Sequence, residues 1–164
     1  MKKIIQKIIN KFRREPDRHI GGKENPYMRR WHIIPRNKWF NIYLHHFLRD
    51  DDDRALHDHP WHSLSIMLAG SYLEHLPGGV IRTVNAGSVK FRKATHMHRI
   101  QLFKERTYEH STVFFREVPR PVWTIFITGR KIREWGYDCP QGWKHNTAFN
   151  NPTDGDLIGK GCAD

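Results

Sequence analysis

Two short stretches of this 164-residue chain concentrate the side chains that can do chemistry. One is "LHDHPWH" at residues 56–62, with His57, His59 and His62. The other is "THMH" at residues 95–98, with His96 and His98. On a β-strand, residues i and i+2 share a face. His57 and His59 therefore stand side by side with Asp58 turned away, and His96 and His98 repeat the pattern. Neighbouring imidazoles can both reach one metal ion at about 2.0–2.2 Å. A pair does not complete a site, so a third ligand has to come from another strand. The chain has 12 histidines, and a close pair such as His45 and His46 can arise without purpose. The signal lies in the second cluster, which repeats the first at the entry of another strand-like run.

The runs around these clusters are short and β-prone. "WFNIYLHHFL", "HSLSIML", "SYLEHL", "VIRTV", "SVKFR", "HRIQLF", "TVFFREV" and "VWTIFITG" follow one another. They are rich in aromatic and β-branched residues and are separated by "DDDD", "AG", "PGG", "NAG" and "KER". No long helical pattern occurs between residues 39 and 135. Many short strands at regular spacing predict an all-β antiparallel sandwich or barrel of jelly-roll type.

The ends of the chain differ from this body. Residues 2–14, "KKIIQKIINKFRR", place Ile4, Ile5, Ile8, Ile9 and Phe12 at helical spacing with lysines opposite, and Pro16 ends the pattern. A short amphipathic helix is expected there, then an irregular arm over 15–38. Residues 39–150 form the barrel and residues 151–164 a polar, glycine-rich tail. The formal net charge is +11, and its placement is uneven. Residues 1–38 hold twelve Lys/Arg and three Asp/Glu, leaving sixteen and fourteen for the rest. A nearly neutral body argues against a whole-domain nucleic-acid binder. The basic arm is left to meet the barrel, a second subunit in a homodimer, or a weakly held anionic partner.

Apolar residues make up 38% of the chain, enough for a packed core, but no run approaches the roughly 20 residues of a membrane span. "IIQKII" is interrupted by Gln6 and Lys7, and no small-residue cleavage site follows. A soluble, cytoplasmic protein is expected. The two cysteines, Cys139 and Cys162, agree with a reducing compartment, although one disulfide between them is open to the chain.

The order of the motifs resembles the cupin superfamily, in particular small single-domain RmlC-like cupins. His57, His59 and Gly70 match its first motif, while Gly87 and, eleven residues on, His98 match its second. The likeness covers roughly residues 39–130 and implies a double-stranded β-helix with one divalent metal near the barrel axis. The position of the usual acidic ligand, seven residues before Gly70, is Ser63, a poor ligand. The resemblance therefore implies a three-histidine site of His57, His59 and His98, similar to that of cysteine dioxygenase-type cupins. His62 and His96 are further candidates, and Glu74 is a more distant one. "RALHDHPW", "GSYLEH" and "REWGYDCPQGW" also resemble stretches of small bacterial and phage proteins, which supplies no activity.

The cysteine dioxygenase likeness implies a non-haem iron dioxygenase acting on a small molecule. Fe(II) is favoured, though imidazole also suits Zn, Mn and Ni. The rival is a non-catalytic metal- or ligand-binding cupin, docked in a larger, phage-type assembly through its arm. Arg82, Arg92 or Tyr72, if inward, would bind an anionic substrate. Trp135, Tyr137, Cys139 and Trp143 are expected to cover a barrel end or form a lid, and Cys139 lacks any visible base that would make it a nucleophile. Asp50 to Asp53 read as a solvated turn.

Overall fold

The chain alternates between two layers of antiparallel strands. The computed structural model describes residues 14–51, 55–108 and 115–149, together with Lys3, Ile9, Asn10, Phe12 and Cys162. The expected helix over residues 2–14 and the tail over residues 151–164 lie almost wholly outside these. The first layer is a six-stranded sheet. Its order is β1 (Arg18–Ile20), β2 (Met28–His32), β3 (Asn41–Phe47), β12 (Val122–Thr128), β5 (Ser63–Ala69) and β8 (Val89–Arg92).

The second layer has two three-stranded parts. One is β14 (Gly142–His145), β13 (Gly136–Cys139) and β4 (Leu56–His57). The other is β7 (Ile81–Asn85), β6 (Ser71–His75) and β9 (Arg99–Leu102). A bridge between His57 and His98 joins them edge to edge, with backbone hydrogen bonds of 2.9 and 3.0 Å. A hairpin of β10 (Lys104–Tyr108) and β11 (Phe115–Pro119) stands apart. From β3 onward the chain crosses from layer to layer at almost every turn, which is the jelly-roll route.

Each layer turns an apolar set inward. Met28, Phe47, Met67 and Val122 from the first meet Tyr72, Val84, Ile100 and Leu102 from the second. Strand β5 shows how the sequence sets this. Ser63, Ser65 and Met67 are buried inward, and Leu64 and Ile66 alternate outward. The outer face of the first sheet is apolar too. Trp31, Leu44 and Leu68 pack there with Trp123, Ile66, Ile125 and Phe12 of the N-terminal segment. The Trp31 indole donates to the Arg14 carbonyl at 2.9 Å, so the arm is fastened to the sheet.

Several expectations need correction. Residues 15–38 are not irregular throughout: β1 and β2 extend the large sheet, with Arg30 opposite His45 and Trp31 opposite Leu44. The "KER" stretch, expected to be a turn, runs within β10, and "REWGYDCPQGW" holds β13 and most of its hairpin. In the acidic run Asp50 and Asp51 do not form a solvated turn, and Asp52 and Asp53 lie outside the described residues. Asp50 and Asp51 accept backbone N–H groups of Leu102 and Ile100, each at 2.7 Å. They satisfy the edge of β9 where no strand pairs with it. Cys139 and Cys162 form a disulfide, the pairing that the sequence left open to them. Among the described residues no helix is long and apolar enough to cross a membrane.

The two motif glycines serve different constraints. Both have positive φ, +81° at Gly70 and +89° at Gly87. A Cβ at Gly70 would lie 2.9 Å from the Pro121 carbonyl oxygen and 3.0 Å from Val122 Cγ2, whereas one at Gly87 would meet nothing within 4 Å. Gly87→Ala is expected to cost about 1–2 kcal/mol from the backbone alone. Gly70→Ala is expected to cost clearly more in urea unfolding, because steric overlap adds to the same strain. Equal losses would show that the Gly70 turn is free to shift.

Candidate metal centre

The bridge that joins the two halves of the second layer also builds the site. His57 and His98 are direct partners across it, so their side chains leave on one face. His59 follows two residues later, held by its backbone N–H on the Ala94 carbonyl at 3.1 Å. The three rings form a nearly equilateral triangle, with centroids 5.0 to 5.2 Å apart. One nitrogen from each lies within 4.8 Å of the other two, and Nε2 of His59 is 3.0 Å from Nε2 of His98. Nitrogens about 2.1 Å from one ion at tetrahedral or octahedral angles stand about 3.0–3.4 Å apart. The closest pair already has that spacing.

Burial keeps two of these rings neutral. It pushes His59 well below the usual imidazole value and His98 down to about 3. For His98 the Glu74 carboxylate pulls the other way without overcoming burial. Neutral imidazole is the form that donates a lone pair to a cation. Glu74 decides which nitrogen of His98 is free. Its Oε1 lies 3.1 Å from His98 Nδ1, so that nitrogen carries the proton and Nε2 turns its lone pair to the triangle.

Glu74 has no solvent exposure, and both its oxygens are engaged. Arg92 Nε donates to Oε1 at 2.7 Å and Arg82 Nε to Oε2 at 2.8 Å. Burial alone would raise this carboxyl. His98, Arg92 and Arg82 outweigh it and hold Glu74 well below the usual carboxylate range. It therefore serves the site through His98, and its oxygens are not free to meet an ion.

Asp58 points the other way, as the strand alternation requires. It is buried, accepts the Gly136 N–H at 2.8 Å and pairs with Arg133. These bonds seat residues 133–137 beside the histidines. Trp135 comes within 6.4 Å of both His57 and His59, and Tyr137 within 5.8 Å of His57, centroid to centroid. Trp135 and Tyr137 thus border the site. Cys139 is tied to Cys162 and packs with Phe149, while Trp143 is exposed.

The remaining candidates lie outside the triangle. His62 is exposed, accepts the Ala94 N–H at 3.0 Å and packs beside the outward ring of Phe91. His96 has its ring 5.8 Å from His98, with Nε2 4.0 Å from Glu74. Ser63 is buried on the inner face with its hydroxyl unpartnered among the described residues. Of the three groups weighed for an anion, Arg92 and Tyr72 are buried inward and bonded to each other at 3.2 Å, and Arg82 is part-exposed. Sequence reasoning missed Asp58, which lies between the two histidines that drew attention.

No protein-family model matches this chain, and no curated protein matches it. Solved structures do resemble it. The structural neighbours are cupin and double-stranded β-helix proteins. An uncharacterized conserved protein with a double-stranded β-helix domain from Klebsiella pneumoniae aligns with a TM-score of 0.49 at 13% identity, over 73% of this chain and 90% of its own. An RmlC-like cupin protein from Ralstonia eutropha gives 0.49 at 14% identity, over 77% and 71%. A DMSP lyase from Ruegeria pomeroyi gives 0.49 at 16% identity, over 74% and 57%. At TM-scores below 0.5 and identities of 13–16% these likenesses say nothing about this chain's chemistry.

Removing the Glu74 charge tests how the site is supported. Glu74→Gln keeps the shape but leaves Arg92 buried without its counter-ion. The expected loss is about 3–5 kcal/mol in folding, with metal affinity falling about 10–100-fold as His98 loses its orienting partner. Chemical denaturation and metal titration would read the two effects. A variant with unchanged metal affinity would show that Glu74 does not orient His98.

Proposed function

We propose that this chain is a metal-dependent cupin that holds one divalent ion on His57, His59 and His98 and acts as a non-haem iron dioxygenase on a small molecule. The convergence of three imidazoles on one point supports this, with the Nε2 atoms of His59 and His98 at 3.0 Å. The donor set fits a borderline divalent cation such as Fe(II), and equally Zn, Mn or Ni. Bound Fe(II) would supply the redox chemistry through which dioxygen meets an organic substrate, whereas Zn would supply Lewis acidity.

The chain's own groups prepare the ground. Glu74 keeps a proton on His98 Nδ1. Trp135 and Tyr137 border the imidazoles as an aromatic wall. Among the described residues no carboxylate joins the triangle, which would leave a bound ion's charge open to anionic groups.

A second reading, a non-catalytic binding cupin in a larger assembly or homodimer, has one observation in its favour. Phe91 and Val89 project from the outer face of edge strand β8 at 66% and 58% exposure, an apolar strip suited to a protein neighbour. In this reading the basic segment before Trp39 would add a weak, salt-sensitive anionic contact. The proposal keeps the chain in the cytoplasm, where Cys139 and Cys162 would be reduced. Alkylation at lysis should label both thiols there, and no labelling would place the chain in an oxidising compartment.

Protein purified without added ions is expected to carry one metal per chain, and His98→Ala to lose it while remaining folded. Oxygen uptake with a panel of thiols and carboxylates would separate the readings. Uptake that disappears in His98→Ala supports the enzyme. Full metal occupancy without uptake on any panel member favours the binding module, and an occupied His98→Ala protein contradicts the site.

A further inference from the structure

The loop between β2 and β3 holds two large apolar side chains in solvent. Trp39 and Phe40 are 61% and 49% exposed at the end of the large sheet. Asn37 keeps them there. Its Oδ1 accepts the backbone N–H groups of Trp39 and Phe40 at 2.9 and 3.1 Å. Its own N–H and carbonyl are bonded to the Asn41 side chain at 3.1 and 2.9 Å. An asparagine turn of this kind closes the tip on itself, so the exposure of the two aromatics is part of its construction.

The neighbouring strand end adds to the tip. β12 pairs with β3 as far as Thr128 opposite Asn41, so the chain leaves β12 beside this loop and runs on through Arg130, Lys131 and Ile132. Ile132 is exposed, and its N–H is held on the Pro60 carbonyl at 2.8 Å. Arg36, Lys38 and Arg130 are exposed at the same end, and none of them meets a carboxylate among the described residues. Lys131 differs, because Glu134 pairs with it.

Uncompensated cations around a rigid apolar tip fit a partner that carries negative charge above an apolar layer. A second copy of the chain would set the same cations against each other. A single-stranded nucleic acid needs open ring faces. Here the Lys38 ammonium lies over Trp39, 5.2 Å from the ring centre, and Ile132 has no π-face to offer. A bilayer with anionic headgroups suits every part: the headgroups meet the cations, an indole settles at the interface, and Phe40 and Ile132 reach the acyl boundary.

We propose that this end of the large sheet docks on an anionic lipid surface, with Trp39, Phe40 and Ile132 entering the headgroup layer and Arg36, Lys38 and Arg130 meeting the lipid charges. The docking uses no member of the histidine triangle, so it holds whether or not the chain binds a metal.

Co-sedimentation of the full chain with vesicles tests the proposal, using phosphatidylcholine alone and phosphatidylcholine with about one quarter phosphatidylserine. The wild type should pellet with the mixed vesicles at low salt, bind pure phosphatidylcholine at least about tenfold more weakly, and be released as salt rises. Trp39→Ser with Phe40→Ser, and separately Arg36→Gln with Lys38→Gln, should each weaken binding by about tenfold or more. Their unfolding temperatures should stay unchanged, because these side chains face solvent. Trp39→Phe should still bind, and brominated acyl chains should quench the emission of the wild type more than that of Trp39→Phe. Equal binding to the two kinds of vesicle, or undiminished binding by both double variants, overturns the proposal. So does binding that survives in those variants and is lost on Lys2→Gln, Lys3→Gln and Lys7→Gln together, since the N-terminal segment is then the contact. A dimer that dissociates in Trp39→Ser with Phe40→Ser, or a labelled single-stranded oligonucleotide held by the same residues, in a chain that ignores the vesicles, would contradict it in favour of a second copy or a nucleic acid.

Discussion

A carboxylate with no access to solvent, Glu74, is the constraint on which the rest of the site depends. It sits on β6 of the second layer and accepts Arg92 from β8 of the first, so one buried ion pair spans the gap between the sheets. A buried charge is tolerable only when its lone pairs are met. Arg92, Arg82 and His98 meet them here, and the third of these transmits the arrangement to the triangle. Electrostatics inside the barrel thus fixes a tautomer, and the tautomer decides where a lone pair points.

The interior is graded. At one end Met28, Phe47, Met67 and Val122 make an ordinary apolar core with Tyr72, Val84, Ile100 and Leu102. Two residues further along the same strands the inward positions become Arg30, His45, Thr124 and Ser65. Two-residue periodicity keeps all of these on one face, so the chain needs no change of backbone to pass from core to site. The apolar end holds the sheets together, and the polar end is left free to carry function.

Much of this was legible in the sequence. All eight β-prone runs between Trp39 and Gly129 contain strands, because alternation and turn residues reinforce each other there. His57, His59 and His98 were legible because the i, i+2 spacing survives translation into structure. The role of Glu74 was not. A glutamate in "SYLEH" reads only as a distant ligand candidate until Arg92 is placed beside it. Strand β2 was hidden for another reason: "MRRWH" puts Arg30 inward and Trp31 outward, inverting the usual polarity, since the arm covers the outer face with Phe12. The acidic run misled in the same way, because nothing local announces that Asp50 and Asp51 pair with β9. Each miss is a residue whose partner is remote in sequence.

The central claim is that three imidazoles meet on one ion. Anomalous scattering from a crystal of protein purified without added metal tests it most directly. The account predicts one peak per chain within about 2.0–2.3 Å of a nitrogen from each of His57, His59 and His98, with its absorption edge naming the element. A map with no peak at that point, in which His59 and His98 simply hydrogen-bond to each other, would contradict it.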